Sequence, residues 1–272
     1  MPRLKAPSQS CDCHIHVYDE RFPVAPTAIA PPPANAGVAQ YRLVQQALGV
    51  ERAIVVQANA YGFDNRCTVE GIAKLGPGAR GIATVSPDIT DQELSRLTRD
   101  GIRGARYFML KGGILPWESL EPMAKRFAEH GWLIQLQLDG RDMPKYEALI
   151  ARLPVPVIID HNGKYLEPVP VEHPSFQSLL RLLELDHVWV KLAAPYETSK
   201  VGPPHYDDVS KLARALVKAN PEHCLWASNW PHVNTNPLPD NVAMLDLLLE
   251  WADDDATRRR ILVDNPARLF GF

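Results

Sequence analysis

The chain predicts a single-domain α/β protein, a (β/α)8 TIM barrel spanning residues 1–272. Three observations predict it. Its 272 residues, 46% of them hydrophobic, suffice for one large core. Eight short β-branched or apolar runs recur along it, with amphipathic helical patterns between them. Most of those runs end in polar residues, and a barrel gathers its strand ends at one face.

The elements follow in order. The first strand begins near Asp12. A Pro-rich stretch, Pro23 to Pro33 within a loop at about 20–36, follows it and is expected to fold over the barrel rim. Gly49 fits a helix C-terminal stop, and a second strand begins near Ala53. Asp64 is expected to cap the next helix, and a third strand begins near Gly81. Thr90-Asp91-Gln92-Glu93 reads as a capping box. The fourth strand begins near Gly104. Pro116 and Trp117 open a helix whose first turn holds Glu118, where a carboxylate suits the helix dipole. Gly131 stops that helix. Further strands begin near Leu133, Val157, Val188 and Leu225. A doubly wound open sheet is the alternative, but no Gly-x-Gly-x-x-Gly follows the first strand.

Composition excludes several classes. The formal net charge is -3, without a basic block, so nucleic acid is not an expected partner. No apolar run is long enough to span a bilayer, so no membrane role is expected. The four cysteines, Cys11, Cys13, Cys67 and Cys224, make no disulfide framework, and a cytoplasmic location is expected. Nothing in the sequence sets the oligomeric state.

The chemistry gathers at the strand ends. In Cys11-Asp12-Cys13-His14-Ile15-His16, strand alternation places Asp12, His14 and His16 on one side. Cys11, Cys13 and Ile15 then lie on the other, away from a cysteine–zinc arrangement. Later strand ends add Asn59, Arg106, Gln135 with Gln137, His161, Lys191, Tyr196 and Asn229. Asp160 is expected to face the helices, opposite His161, and Arg103 to be structural. His232 is either a site residue or bonded to the backbone at its turn. His130, His173, His187, His205 and His223 read as structural or surface residues. Trp226 and Trp230 read as packing.

The first strand, Ile159-Asp160-His161-Asn162-Gly163 and Ser228-Asn229-Trp230-Pro231-His232 resemble the amidohydrolase superfamily. The nearest resemblance is to its metal-independent lactonase branch, which includes 2-pyrone-4,6-dicarboxylate lactonase. Val56-Gln57-Ala58, Gly101-Ile102-Arg103-Gly104-Ala105-Arg106, Trp189-Val190-Lys191 and Asn265-Pro266-Ala267-Arg268-Leu269 extend it over nearly the whole chain. The resemblance implies a lactone hydrolase. His14, His16 and His161 would surround the substrate carbonyl, and Arg106 would pair its oxyanion or a carboxylate. Asn59, Gln135, Lys191, Tyr196 and His232 complete the expected substrate-binding set.

Asn229 departs from that pattern, because the family's strand-eight acid activates water and an amide cannot keep a proton. Three readings stay open. His161 or His16 serves as base; an aspartate has been exchanged for asparagine to trap a ligand; or the chemistry needs no hydrolytic base. A metal-free site is expected, with protonated imidazole and Arg106 stabilising the oxyanion. The alternative is one zinc or manganese ion on His14, His16 and His161, as in a metal-dependent decarboxylase or hydratase. A lactone isomerase and a non-catalytic small-acid binding protein are the further alternatives. Gly112, Gln135 and Glu197 stand where the resemblance would supply arginine, tyrosine and arginine. The expected ligand is therefore a small lactone or carboxylic acid, sugar-derived or muconolactone-like, with few carboxylates.

Overall fold

A computed structural model of the chain describes residues 1–272. Eight parallel strands form one sheet in sequential order. They are β1 (Cys11–Ile15), β2 (Arg52–Val56), β3 (Ala79–Ala83), β4 (Ile102–Phe108), β5 (Leu133–Gln137), β6 (Val157–Ile159), β7 (Val188–Leu192) and β8 (Cys224–Trp226). A helix follows each: α1 (Val38–Leu48), α2 (Arg66–Leu75), α3 (Asp91–Arg99), α4 (Leu120–Glu129), α5 (Met143–Ala151), α6 (Pro174–Leu183), α7 (Asp207–Ala219) and α8 (Asn241–Asp246). This is the expected (β/α)8 barrel. No helix is long and apolar enough to cross a membrane.

Strand alternation divides the apolar residues. Ile54, Val56, Ile82, Leu133, Ile158, Trp189 and Leu225 fill the barrel interior. Ala53, Val55, Ile134, Leu136, Val190 and Trp226 face outward and pack with the helices in the larger cluster. Leu94, Leu97, Leu179, Leu212 and Leu216 belong to that layer. Each helix thus buries one stripe against a fully covered parallel sheet.

The local signals act as their chemistry requires. Gly49 takes a left-handed conformation (φ 74°) and stops α1. Thr90 accepts the Glu93 amide at 3.2 Å, but the Glu93 carboxylate turns to Arg96 rather than back to Thr90. Asp64 is corrected by one position. Asn65 holds the N-cap of α2, while Asp64 accepts the Arg66 amide at 3.2 Å and pairs with the Arg66 guanidinium.

The first strand holds the largest correction. Asp12 pairs with Ala53 and Ile15 with Val55, so three steps on β1 oppose two on β2. This bulge carries one extra residue. Cys11 and Cys13 therefore join the interior cluster, and His14 also turns inward. Asp12 points out to the helix layer. Its carboxylate accepts from the Ser228 amide (2.9 Å), Ser228 Oγ (2.5 Å) and Tyr41 Oη of α1 (3.1 Å). Strict alternation misassigned Asp12, Cys11 and Cys13 because the bulge resets the period.

The bulge lies on the seam that closes the barrel. The Asn229 amide donates to His14 O at 3.0 Å, and the His16 amide to Trp230 O at 2.9 Å. Asp12 fixes the same seam from behind through Ser228. The hydrogen bonds that close the sheet thus also set His14 and His16 beside Asn229.

Candidate active site

A cavity of about 500 Å³ opens at the C-terminal ends of the strands. His16, Asn59, Arg106, His161, Tyr196 and Asn229 line it, as do Tyr18, Gln137, Lys164 and Glu197. Ile29, Ala30 and Pro31 of the Pro-rich loop form one wall, and Val233 to Asn236 another. Ile29 packs close to Gly112, 2.8 Å from where a Cβ would stand, and Gly112 has φ 93°, so a side chain there would strain the backbone and displace Ile29. Lys111 is exposed.

Four expected site residues do not touch the cavity. His14, Gln135 and Lys191 are fully buried beneath it, and His232 lies behind Tyr196. The buried group is a network around Lys191. Its Nζ is 2.6 Å from Gln135 Oε1 and 3.3 Å from both His14 Nδ1 and Asp160 Oδ1. Gln135 Nε2 donates to Asp160 Oδ2 at 2.9 Å. Asp160 therefore points inward, against expectation. Alternation from Ile158 carries it to the interior. His161 follows in a left-handed conformation (φ 50°) and turns toward the cavity as well.

The hydrogen-bond directions assign tautomers. His16 Nδ1 lies 2.8 Å from Val56 O, so it carries the proton. His16 Nε2 is then an acceptor, and His14 Nε2, 3.2 Å away, is its donor. His14 Nδ1 in turn accepts from Lys191 or Gln135. Both rings are neutral in this pattern.

Electrostatics agree. Burial, with Arg106 adding to it, pulls His16 down to about 3. Burial pulls His14 well below the ordinary histidine range, with Lys191 and His16 adding to the fall. Burial depresses His161 likewise, with Asp160 opposing it. The expectation of protonated imidazoles is corrected: near pH 7 all three are neutral, first because they are buried and then because cationic side chains stand beside them. Burial would raise Asp160, but the charges of Lys191 and Arg106 help to outweigh it and keep the carboxylate ionised.

A second network lines the mouth. Asn229 Nδ2 donates to Tyr196 Oη (2.8 Å) and to Glu197 Oε1 (3.0 Å). The carboxylate fixes the amide's orientation, since only its nitrogen can donate. Tyr196 Oη then donates to His232 Nδ1 (2.9 Å), and His232 Nε2 to Asn241 Oδ1 (2.9 Å). His232 is thus bonded to side chains, and it braces the Tyr196 that holds Asn229. Lys164 Nζ bonds to Glu197 Oε2. Burial pulls the Lys164 ammonium down to about 8, with Asp160 opposing. The bonded Glu197 further favours its charged form.

Arg106 spans the cavity floor. Its NH1 donates to Gln57 O (2.9 Å) and Asn59 Oδ1 (3.1 Å), while its NH2 is only loosely bonded to Gln137 Oε1 (3.4 Å). The guanidinium is held in place with an N–H to spare. The sequence reading missed Lys164. It follows the left-handed turn at His161 and Asn162, and Asn162-Gly163 was the signal that the chain turns back there.

The amidohydrolase family profile matches residues 11–272, and the chain belongs to that family. It is 31% identical to D-galactarolactone isomerase of Agrobacterium fabrum, over 99% of this chain and 93% of that protein. It is 33% identical to a 2-pyrone-4,6-dicarboxylate hydrolase of Comamonas testosteroni, over 99% of this chain and 92% of that one. An apo crystal structure from Agrobacterium tumefaciens superposes with a TM-score of 0.95 at 31% identity. It covers 100% of this chain and 99% of its own. These relatives are a lactone isomerase and a lactone hydrolase, which supports an enzyme acting on small molecules.

Proposed function

We propose that this protein rearranges a small hydroxylated carboxy-lactone by moving its acyl group between two of the substrate's own hydroxyls, without a metal ion. The observation that carries the reading is Asn229. Both its N–H groups are spent on Tyr196 and Glu197, and its remaining oxygen can orient a hydroxyl but not deprotonate it. Glu197, the one carboxylate lining the cavity, is held by Lys164 and Asn229. Water attack therefore lacks a carboxylate base, help typically worth about 10²–10⁴-fold. A substrate hydroxyl needs less help, since a well-placed intramolecular nucleophile has an effective concentration of about 10⁵–10⁸ M.

In this reading the attacking hydroxyl adds to the ring carbonyl. The spare N–H of Arg106 meets the oxyanion from a side chain already fixed by Gln57 and Asn59. His161 carries the proton from the attacking oxygen to the departing ring oxygen. Its ring lines the cavity, and its Nδ1 is sealed from solvent with no hydrogen-bond partner. One ester C–O bond forms, another breaks, and no water is consumed.

The residues do not fit a divalent ion. One ligand atom each from His14, Asp160 and His161 lie within 4.8 Å of one another. Lys191 Nζ already stands 3.3 Å from two of those groups, His14 Nδ1 and Asp160 Oδ1, and its charge neutralises Asp160. His14 Nε2 and His16 Nε2 could face one ion, but their neighbours are Lys191 and Arg106, whose charges repel a further cation.

Hydrolysis is the second reading, with His161 as base. It is supported by the relatives named for hydrolysis of 2-pyrone-4,6-dicarboxylate and of 4-sulfomuconolactone. NMR of sugar-acid lactones with the chelator-treated protein separates the two. Ring-size exchange without acid release supports acyl transfer. Equal acid release from the native chain and Asn229→Asp would overturn it, and faster hydrolysis of 2-pyrone-4,6-dicarboxylate than of sugar lactones would overturn the substrate class.

A further inference from the structure

Three ionised side chains line the cavity: Arg106, Lys164 and Glu197. The Lys191–Asp160 pair lies beneath it and cancels. Lys164 lines the cavity, and its ammonium is already bonded to Glu197 Oε2. Glu197 Oε1 takes the Asn229 amide at 3.0 Å. Both partners are largely buried, so screening by bulk water is weak.

We propose that Glu197 is a specificity-determining residue. It is an internal counter-ion that occupies Lys164 and converts that end of the cavity from a carboxylate site into a hydroxyl site. The inference rests on the cavity being the substrate site described above. A ligand carboxylate at Lys164 would meet the Glu197 carboxylate, and like charges at that range are strongly unfavourable. A hydroxyl meets no such penalty. It can accept from the remaining N–H groups of Lys164 and donate to the remaining lone pairs of Glu197. The ion pair thus offers both a donor and an acceptor, which suits the hydroxyl-bearing carbons of a sugar-acid lactone. Asn59, Gln137, Asn234 and Thr235 add further uncharged polar groups around the same space. Only Arg106 is left with an uncompensated charge.

The test is calorimetric binding of two unreactive acids, gluconate (one carboxylate, five hydroxyls) and citrate (three carboxylates, one hydroxyl). Glu197→Gln keeps the shape and one acceptor but removes the charge. The native chain is expected to favour gluconate. Glu197→Gln should shift the citrate-to-gluconate affinity ratio at least about tenfold toward citrate, the scale of one charge-assisted hydrogen bond. Lys164→Gln in the Glu197→Gln background should abolish the shift. Loss of Asn229 positioning would weaken both ligands together and leave the ratio alone. An unchanged ratio in Glu197→Gln, or a shift that persists without Lys164, overturns the proposal. Melting curves confirm that each variant is folded. Because neither acid turns over, a failure of the acyl-transfer reading would show in the lactone assay and leave this ratio untouched.

Discussion

Replacing Lys191 with methionine keeps most of the unbranched side chain and removes its charge from the barrel centre. The ammonium lies 3.3 Å from Asp160 Oδ1. At an effective dielectric near 20, that separation corresponds to an attraction of about 5 kcal/mol. Relief of the lysine's own burial cost offsets part of it. The orphaned Asp160 and the lost 2.6 Å bond to Gln135 act the other way. Removing one partner of a buried pair typically costs about 3–5 kcal/mol, and that is the expected loss for Lys191→Met. Adding Asp160→Asn should recover much of it, because no unpaired charge then remains. Urea denaturation of the native chain, both single variants and the double variant gives the coupling directly. On the proposed metal-free reading, the lysine-free variant should also bind zinc more tightly than the native chain, since His14 and Asp160 lose their cationic neighbour. A loss below about 1 kcal/mol with no coupling would refute the charged pair, and with it the argument for the proposed metal-free reading.

Three other perturbations follow from the same geometry. His16 is held at about 3 in the folded chain, against an unfolded value near 6.5. The unfolded state therefore binds more protons between these values, and stability must fall as pH drops from about 6.5 toward 3. It is fully present above 6.5, and His16→Gln should flatten the profile in denaturation curves taken across that range. Arg106→Met removes the donor facing the developing oxyanion and should lower kcat by about 10²–10³-fold with the fold intact, as steady-state kinetics and circular dichroism would show. Tyr196→Phe unpairs Asn229 and His232 and should cost about 1–3 kcal/mol in melting experiments. It should also lower kcat more than it raises KM, since Asn229 is left less well oriented.

The barrel was legible because its period is local. Eight β-branched runs separated by helical patterns admit few closed arrangements, and all eight strands lie where those runs lie. The positions of His16, Arg106, His161 and Asn229 at the cavity followed from the rule that strand ends share one face. What the sequence hid was every place where the backbone leaves its period. The bulge between Asp12 and Ile15 turned Cys13 and His14 inward together. The left-handed turns at His161 and Asn229 (φ 50° and 61°) redirect side chains in ways alternation cannot foresee. They fall in the site, where strained backbone tends to concentrate. Lys164 and Glu197 were obscured for another reason. They lie 33 residues apart on different loops, and only the closed barrel makes them neighbours. The state of the histidines depended likewise on their burial in the closed barrel and on the cations that arrive beside them.

The most direct test of acyl transfer is to run the reaction in ¹⁸O-labelled water and weigh the products by mass spectrometry. Transfer between hydroxyls of one molecule draws no oxygen from solvent, so rearranged lactone should carry no label above the spontaneous background. One ¹⁸O atom per turnover in a carboxylate product would mean that water does the work assigned here to the substrate's own hydroxyl, with a histidine as its base.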